Sequence, residues 1–212
     1  MTARLVLATR NPHKVVELRA ILAAALADDA HVDLDDAVVG LDGFDVPEVV
    51  ESGITFAANA LLKARAVVRA TGLHAIADDS GLAVDVLGGA PGVFSARWSG
   101  RRSDDAANTE LLLAQLHDVP DGDRGAAFVC AVALVTPDGA EVVEHGRLPG
   151  VLAREPRGSG GFGYDPILAV GSSGRTLAEF DADEKNAISH RGQAVRAVVP
   201  ALRPVLAAHP SG

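Results

Sequence analysis

Two adjacent aspartates, Asp78 and Asp79, are the residues whose placement most directly suggests chemistry. They follow an apolar run, residues 73–77, which reads as a strand, and Ser80 and Gly81 come after them. Ligands in open α/β sheets bind beyond the carboxyl ends of the strands. Because neighbouring carboxylates repel each other, a cation is their natural partner, and Mg²⁺ prefers oxygen ligands. We therefore expect an acidic turn that binds Mg²⁺; the alternative is an ordinary solvated turn.

The loop before this turn offers further oxygen ligands in Glu48 and Glu51. A carboxylate beside a bound metal can take a proton from water, which favours hydrolysis as the chemistry of such a site. The seven histidines show no metal-ligand spacing, which argues against zinc. Either glutamate is a candidate at this stage.

A short segment between the first strand and the first helix has the composition of a phosphate-binding turn. Its residues are Thr9, Arg10, Asn11, Pro12, His13 and Lys14. Asn11 suits the N-cap and Pro12 the first helical position. The start of a helix presents free N–H groups and partial positive charge, which favour phosphate. Lys14 is unfavourable in the first turn unless an anion lies nearby, so we expect a bound phosphate; the alternative is a plain strand-to-helix turn with a surface lysine.

A second basic helix start lies near the end of the chain. Ser189 is a plausible N-cap, and His190 and Arg191 then occupy the first turn, where a cation is disfavoured by the helix dipole. Both side chains donate hydrogen bonds, which suits the 6-keto oxygen of hypoxanthine or xanthine, whereas adenine presents an amino donor there. Taken alone, His190 reads as a surface or capping histidine.

Two glycine-rich segments, residues 88–100 and 158–166, contain half of the aromatic residues. The chain has six phenylalanines, one tryptophan and one tyrosine, and these segments hold Phe94, Trp98, Phe162 and Tyr164. Aromatic rings on loops can stack on a base, and glycines permit close approach to a ligand. We expect ligand contact from Phe162, and loop anchoring from Phe94 and Tyr164. Asp165 can accept a hydrogen bond from a ring N–H.

Composition limits the possible partners. The net charge is −9, and a protein that binds long nucleic acid usually carries a basic face, so we expect no nucleic-acid partner. Only three of the 19 basic residues are lysines, namely Lys14, Lys63 and Lys185. The single cysteine, Cys130, lies in an apolar run and is expected to be a buried, inert thiol. With no membrane-length apolar segment and no signal peptide, we expect a cytoplasmic protein without membrane contact.

The elements that must position these residues mix strands and helices, as in an α/β domain. Strands are expected at residues 4–8, 73–77, 126–136 and 140–146, and the last two form a hairpin around a Pro-Asp-Gly turn. Helices are expected at residues 12–26, 55–71, 106–116 and 189–206. Gly72 gives a C-cap signal for the second helix, whereas Pro200 and Pro204 should interrupt or bend the last one. We expect one domain, residues 1–212.

Several of these motifs, taken in order, resemble the inosine/xanthosine triphosphate pyrophosphatase family. They are ATRNPHK at residues 8–14, ESGITF at 51–56, ADDSGL at 77–82, GGFGYDP at 160–166 and SHRG at 189–192. The similarity extends from residue 5 to about residue 202. All three lysines fall in or beside motif positions. The resemblance implies a two-lobed α/β fold around a long mixed sheet, with the active site in the cleft between the lobes, and a homodimer.

The resemblance also assigns roles to individual residues. Glu51 and Asp79 would bind Mg²⁺, with Asp79 also the base that activates water. Thr9, Asn11 and Lys14 would hold the triphosphate, with Lys63 nearby, and Ser80 would touch the substrate. Phe162 would stack on the base, and the pocket would be completed by Gly163, Tyr164, Asp165, Lys185, His190 and Arg191. The family often has Glu-Asn-Ala after Thr-Phe, but this chain has Ala58, Asn59 and Ala60.

The activity implied is Mg²⁺-dependent hydrolysis of nonstandard purine triphosphates (ITP, dITP and XTP) to the monophosphate and pyrophosphate. One alternative is a Maf-like pyrophosphatase that acts on modified pyrimidine triphosphates. A second is a nucleotide-binding protein without turnover, although carboxylates beside a triphosphate hinder binding unless a metal is present.

Overall fold

The fold is α/β and is built on one seven-stranded mixed sheet. The computed structural model describes residues 3–29, 33–101 and 104–207. The strands are β1 (Leu5–Leu7), β2 (Val38–Val39), β3 (His74–Val84), β4 (Gly125–Val135), β5 (Glu141–Leu152), β6 (Leu168–Val170) and β7 (Arg175–Thr176). Their order is β2-β1-β3-β4-β5-β6-β7. β1 is parallel to β2 and β3, whereas β6 is antiparallel to β5 and β7, which confirms the predicted mixed sheet.

The longer helices follow the sequence signals closely. The helices are α1 (Pro12–Ala25), α2 (Leu34–Ala37), α3 (Phe56–Thr71), α4 (Asp105–Gln115), α5 (Ala182–Ile188) and α6 (His190–Ala207). Asn11 caps α1 through its side chain, as predicted. Thr55 caps α3, which ends at Gly72 with a φ of 68°, a conformation that favours glycine. These caps fix the ends of the two helices that carry Lys14 and Lys63.

The chain divides into two compact units, each made of segments distant in sequence. The first unit comprises residues 1–79, 130–146 and 191–212, and the second comprises residues 80–129 and 147–190. The division falls between Asp79 and Ser80, and again between His190 and Arg191. Both predicted motifs that contain these pairs therefore contribute to both units.

In the first unit, alternate residues of the strands face different helices. Leu5, Leu7 and Ile76 belong to an apolar cluster with residues of α1 and α6. Their neighbours in the strands, among them Val6 and Ala77, belong to a separate cluster with residues of α3. Because successive side chains of a strand point to opposite faces, the strands have α1 and α6 on one side and α3 on the other. The same alternation decides where the functional side chains of β3 point.

The second unit has its own apolar core and a buried arginine. Its core packs residues of β3, β4, β6 and α4 around Leu82, Leu112 and Ile167. The guanidinium group of Arg124, which is 2% exposed, donates hydrogen bonds to three backbone carbonyls. These belong to Leu116 at 2.7 Å, Leu152 at 2.9 Å and Ala153 at 3.1 Å. Arg124 thus ties the end of α4 to the end of β5.

One prediction about the elements was wrong. The acidic pair does not form a turn at a strand end, because β3 continues through Asp78 and Asp79 to Val84. Within this strand, Gly81 lets Ser95 approach closely: a Cβ there would lie 2.4 Å from Ser95 Oγ, which accepts a hydrogen bond from the Leu82 N–H at 2.9 Å. The last helix is not interrupted, since α6 runs through Pro200 and Pro204, and the alternative of a bend stays a prediction.

Burial explains why α6 continues past its prolines. Val195, Val198 and Leu202 are all buried in the first unit's core, and that packing compensates for the backbone hydrogen bonds that proline cannot make. Four short elements, α2, β2, β6 and β7, and the helix α5 were not predicted. In the described ranges, no helix combines the length and the apolar character that crossing a membrane requires.

Cys130 lies in the first unit's core, as predicted, and offers a test of that core. It is fully buried, and burial raises the pKa of its thiol to about 12. Because the thiolate is the reactive form, we expect no labelling by a thiol reagent in native buffer and one label per chain after unfolding. A small free thiol in the same buffer provides the control. Rapid labelling of the native protein would contradict this burial.

Candidate active site

Asp79 is held by two residues of α3 that lie one helical turn apart. The Asn59 amide donates to Asp79 Oδ2 at 3.1 Å, and Lys63 Nζ lies 3.3 Å from Asp79 Oδ1. Residues separated by four positions share one face of a helix, so this face of α3 contacts both carboxylate oxygens. Asp79 is 8% exposed, which leaves it accessible at one edge.

The same lysine also binds the second predicted metal ligand. Lys63 Nζ lies 2.8 Å from Glu51 Oε1, so its ammonium group bridges the carboxylates of Glu51 and Asp79. Glu48, the other candidate from the sequence, is exposed on the same loop. The contacts therefore favour Glu51 as the partner of Asp79.

The environment of Asp79 raises its pKa. Burial is the largest cause, and the negative charge of Glu51 adds to it, while Lys63 and the Asn59 hydrogen bond oppose it. The pKa of Lys63 is also raised, because the attraction of Asp79, Asp78 and Glu51 outweighs the effect of burial. A carboxylate with a raised pKa is a stronger base, which suits proton abstraction from water.

Asp78 serves a different purpose from its neighbour, and this corrects the view of the two as one metal-binding pair. Its side chain is fully buried and lies 2.9 Å from Lys14 Nζ and 3.1 Å from Arg191 Nε. Arg191 also forms a hydrogen bond with Glu17 of α1. Because adjacent residues of β3 point to opposite faces, Asp78 meets α1 and α6, whereas Asp79 meets α3. Repulsion between the two carboxylates therefore does not require a shared cation.

The charges around Asp78 keep it ionised. Burial raises the pKa of a carboxyl group, but here Lys14, Arg191 and Lys63 outweigh it and lower the pKa far below its usual value. The pKa of Arg191 is raised, since Asp78 and Glu17 outweigh its burial. The anion that the sequence required beside Lys14 and Arg191 is thus supplied by the protein itself.

The segment before α1 is well ordered by its own side chains. Asn11 Oδ1 accepts from the N–H of His13 at 2.9 Å, and Thr9 Oγ1 accepts from the N–H of Asn11 at 3.2 Å. Arg10 donates to the carbonyl of Val46, which anchors the loop that leads to Glu51. Pro12 and His13 are exposed. This turn is therefore capped internally, and its contact with phosphate stays a prediction.

The second unit gathers most of the predicted base-binding residues around Asp165. Its Oδ2 accepts from Lys185 Nζ at 2.7 Å and from the N–H of Phe162 at 2.9 Å. The Lys185 ammonium also lies 5.2 Å from the centre of the Phe162 ring. A Cβ at Gly161 would lie 2.0 Å from Asp165 Oδ2, so glycine is required there. Asp165 and Lys185 fix the position of the Phe162 ring.

Neighbouring residues anchor this glycine-rich loop. Tyr164 is buried, and its hydroxyl donates to the carbonyl of Ser95 at 2.9 Å, as expected of a loop anchor. Burial raises its pKa. The N–H of Gly163 donates to Asp105 Oδ2 at 2.7 Å, which links the loop to the start of α4. Phe162 is half-buried, and its contact with a base stays a prediction.

His190 is not the surface histidine that its sequence context alone would suggest. It is 4% exposed and stacks on Phe128, with the ring centres 4.7 Å apart and the planes at 10°. This stacking fixes the plane of the imidazole. Ser80 is half-buried and follows Asp79 directly in β3.

Sequence reasoning missed four residues that organise the site. They are Glu17, Asn59, Asp105 and Phe128. Each acts through a partner distant in the chain, such as Arg191 for Glu17, and no local pattern reports such a pairing. Only Asn59 had a usable signal, because it lies four residues before Lys63 on the same helix.

The ion cluster around Asp78 leads to a stability prediction. Asp78→Asn removes the counter-charge of Lys14 and one of the two carboxylates that bind the buried Arg191, so we expect a loss of about 3 kcal/mol in the free energy of unfolding near neutral pH. Asp42→Asn, at an exposed position, should change it little. Denaturant titration measures both.

The same variant has a defined pH dependence. Because folding lowers the pKa of Asp78, its contribution is complete above the unfolded value of 3.8 and is lost as the pH falls below it. The difference in the free energy of unfolding between wild type and Asp78→Asn should therefore become smaller below that pH. A larger difference in the free energy of unfolding at low pH would contradict the assignment of Asp78 as ionised in the folded protein.

Comparison with known proteins places the chain in a family. The model of the Ham1 family matches residues 5–201. A protein of Streptomyces avermitilis named dITP/XTP pyrophosphatase is 59% identical, covering 96% of this chain and 98% of its own. The crystal structure of a dITP/XTP pyrophosphatase from Mycobacterium abscessus is 54% identical, with a TM-score of 0.72, covering 93% of this chain and 99% of its own.

A second structural neighbour agrees with this placement. The structure of a HAM1 protein from Coxiella burnetii superposes with a TM-score of 0.82 at 43% identity, covering 95% of this chain and 99% of that chain. The family resemblance read from the motifs is confirmed over the whole predicted span. This chain belongs to the Ham1 family.

Proposed function

We propose that this protein hydrolyses nonstandard purine nucleoside triphosphates, namely ITP, dITP and XTP, to the monophosphate and pyrophosphate. Support comes from the relatives named dITP/XTP pyrophosphatase. The observation that carries the proposal is the cluster of Glu51, Lys63 and Asp79, in which a cation already lies between two carboxylates. This cluster supplies a base, a positive charge for phosphate, and oxygen ligands for a metal.

The cluster fits Mg²⁺ rather than a metal held wholly by protein. Within the described ranges, no group of three or more His, Cys, Asp or Glu residues is placed to hold a metal ion. Mg²⁺ is commonly bound by one or two carboxylates, with waters and substrate phosphates as its other ligands. Glu51 and Asp79 have this character, and the ammonium group of Lys63 marks a position between them where positive charge is stabilised. When bound, Mg²⁺ would neutralise phosphate charge and make water more acidic.

The reaction is attack of water on the α-phosphorus of the triphosphate. Asp79 accepts a proton from the water, the new bond joins the water oxygen to the α-phosphorus, and the bond to the bridging oxygen breaks with release of pyrophosphate. Lys63 and Lys14 are cations suited to the charge that develops on the leaving pyrophosphate. The turn at residues 9–14 is assigned to the triphosphate.

The base is assigned to the residues around the Phe162 loop. Phe162 provides the stacking surface, and its position is fixed through Asp165 and Lys185. His190, whose ring stacks on Phe128, provides a hydrogen-bond donor for the 6-keto oxygen of the base. Adenine has no such keto oxygen. Arg191 completes this motif, although its Nε and Nη1 atoms already bind Asp78 and Glu17. Its contact with the base stays a prediction.

Family resemblance further suggests a homodimer in the cytoplasm, with no nucleic-acid or membrane partner. We include these as proposals, and light scattering on the purified protein tests the dimer. A monomer at working concentration would remove that part of the proposal without affecting the chemistry.

A panel of triphosphates tests the activity directly. We expect Mg²⁺-dependent release of pyrophosphate from ITP, dITP and XTP at rates at least about a hundredfold above those for ATP, because a site built around a keto acceptor leaves its donors facing the adenine amino group. Faster turnover of modified pyrimidine triphosphates would favour the Maf-like alternative. Binding without turnover would favour a nucleotide-binding protein, and orthophosphate as the first product would contradict the proposed cleavage.

Asp79→Asn tests the proposed base. We expect kcat on ITP to fall by about a hundredfold or more, because the amide cannot accept the proton of water. Asp45→Asn, at an exposed position of the same unit, should keep wild-type turnover. Circular dichroism checks that both variants fold, and near-normal kcat in Asp79→Asn would remove its assigned role.

Phe162→Ala tests the stacking surface, and Phe94 offers a matched control. Both phenylalanines lie in glycine-rich segments beside a cation, with Lys185 5.2 Å from the Phe162 ring and Arg97 5.3 Å from the Phe94 ring. Loss of stacking costs about 1–3 kcal/mol, so Phe162→Ala should raise the KM for ITP about tenfold. Phe94→Ala should leave it unchanged. Equal effects in the two variants would argue against base stacking by Phe162.

A further inference from the structure

Asn59 has no role in the family resemblance described above, yet it is completely buried beside the proposed catalytic carboxylate. We propose that Asn59 is a positioning residue that holds Asp79 and the loop of Glu51 in the geometry required for metal binding and water activation. This inference rests on the proposed function. It concerns how the cluster keeps its shape rather than which substrate it accepts.

The two ends of the Asn59 amide bind two different parts of the cluster. Its Nδ2 donates to Asp79 Oδ2 at 3.1 Å, and its Oδ1 accepts from the N–H of Gly53 at 2.8 Å. Gly53 lies two residues after Glu51 on the same loop. One rigid side chain therefore connects the base to the loop that carries the second proposed metal ligand.

The chemistry of these partners requires an amide. Asp79 needs a donor, because its carboxylate only accepts, whereas the backbone N–H of Gly53 needs an acceptor. Aspartate at position 59 offers no donor and adds a like charge beside Asp79. Leucine has a similar shape but binds neither partner. Asparagine satisfies both within one buried side chain.

Close packing shows that the loop is pressed against this amide. A Cβ at Gly53 would lie 2.6 Å from Asn59 Oδ1 and 2.8 Å from the Cβ of Ala58, closer than real side chains approach. The absence of a side chain at Gly53 therefore lets the backbone reach the first turn of α3. Asn59 in turn sets how far the loop stands from Asp79.

Lys63 connects the same two carboxylates, but by charge and through a long, flexible stem. A lysine side chain has several rotatable bonds, so its ammonium can follow a phosphate or yield to a metal ion. Asn59 is short and fully buried, and it binds Asp79 and Gly53 through two hydrogen bonds that do not involve Lys63. The two residues thus have different roles: Lys63 neutralises the charge of the two carboxylates, and Asn59 orients Asp79 and the loop of Glu51.

The test uses Asn59→Leu, with Asn108→Leu as the matched control. Asn108 is also a buried asparagine on a helix, and its Oδ1 accepts from the backbone N–H of Ser99 at 2.7 Å, but it lies in the second unit. Partners that orient metal ligands typically contribute about 10- to 100-fold to affinity or activity, so Asn59→Leu should lower kcat on ITP at least about tenfold with KM nearly unchanged. Asn108→Leu should keep wild-type kcat even if it lowers the melting temperature.

A second readout is independent of activity. Mn²⁺ alone is titrated into each protein, and the free ion is followed by electron paramagnetic resonance. We expect about tenfold weaker binding in Asn59→Leu and no change in Asn108→Leu. If wild type releases no pyrophosphate from ITP, the proposed function fails, and the Mn²⁺ titration still decides the role of Asn59.

If Asn59→Leu does not fold, Asn59→Asp tests the positioning role of Asn59 instead. The carboxylate retains an acceptor for the Gly53 N–H but loses the donor to Asp79, so kcat should fall at least as far as in Asn59→Leu. Wild-type kcat and Mn²⁺ affinity in either folded variant would overturn the inference. Equal losses in Asn108→Leu would show a general effect of destabilisation and overturn it as well.

Discussion

The buried charge of Asp78 is the constraint on which the first unit depends. An ionised carboxylate with no exposure is costly unless cations surround it, and here Lys14 and Arg191 do so from two different helices. Because Arg191 also binds Glu17, the ion cluster joins α1, β3 and α6 at one point. This arrangement leaves the next residue, Asp79, on the opposite face of β3, where Asn59 and Lys63 of α3 contact it.

Local signals predicted the ends of helices well and the course of β3 poorly. The Asn11 and Thr55 caps and the terminal Gly72 act within a few residues of the chain, so they can be read from the sequence. The sequence around Asp78 looks like a turn because Asp, Ser and Gly favour turns. It forms a strand because the buried carboxylate meets cations 64 and 113 positions away in the chain, at Lys14 and Arg191.

The residues of the candidate site could be chosen from the sequence, but their contacts with one another could not. The unusual use of lysine pointed to Lys14, Lys63 and Lys185, and each of them pairs with an aspartate in the structure. The pairing itself is decided by the three-dimensional fold. The sequence explained the basic first turns by a bound ligand, whereas carboxylates of the chain already satisfy Lys14 and Arg191. Asn59 and Phe128 act only through such pairings, and for this reason the sequence patterns did not identify them.

The alternating faces of β3 have a consequence for how the strand finds its place during folding. A slip by one position would turn every side chain of the strand to the opposite face, so two alignments must be distinguished. Side-chain volume distinguishes them: Ile76 packs with the leucines of α1, whereas Ala77 packs with Ala60 and Ala64 of α3. A slipped strand would force the bulky isoleucine into the alanine-lined layer and leave a void opposite. The correct alignment of Asp79 is therefore secured by steric fit.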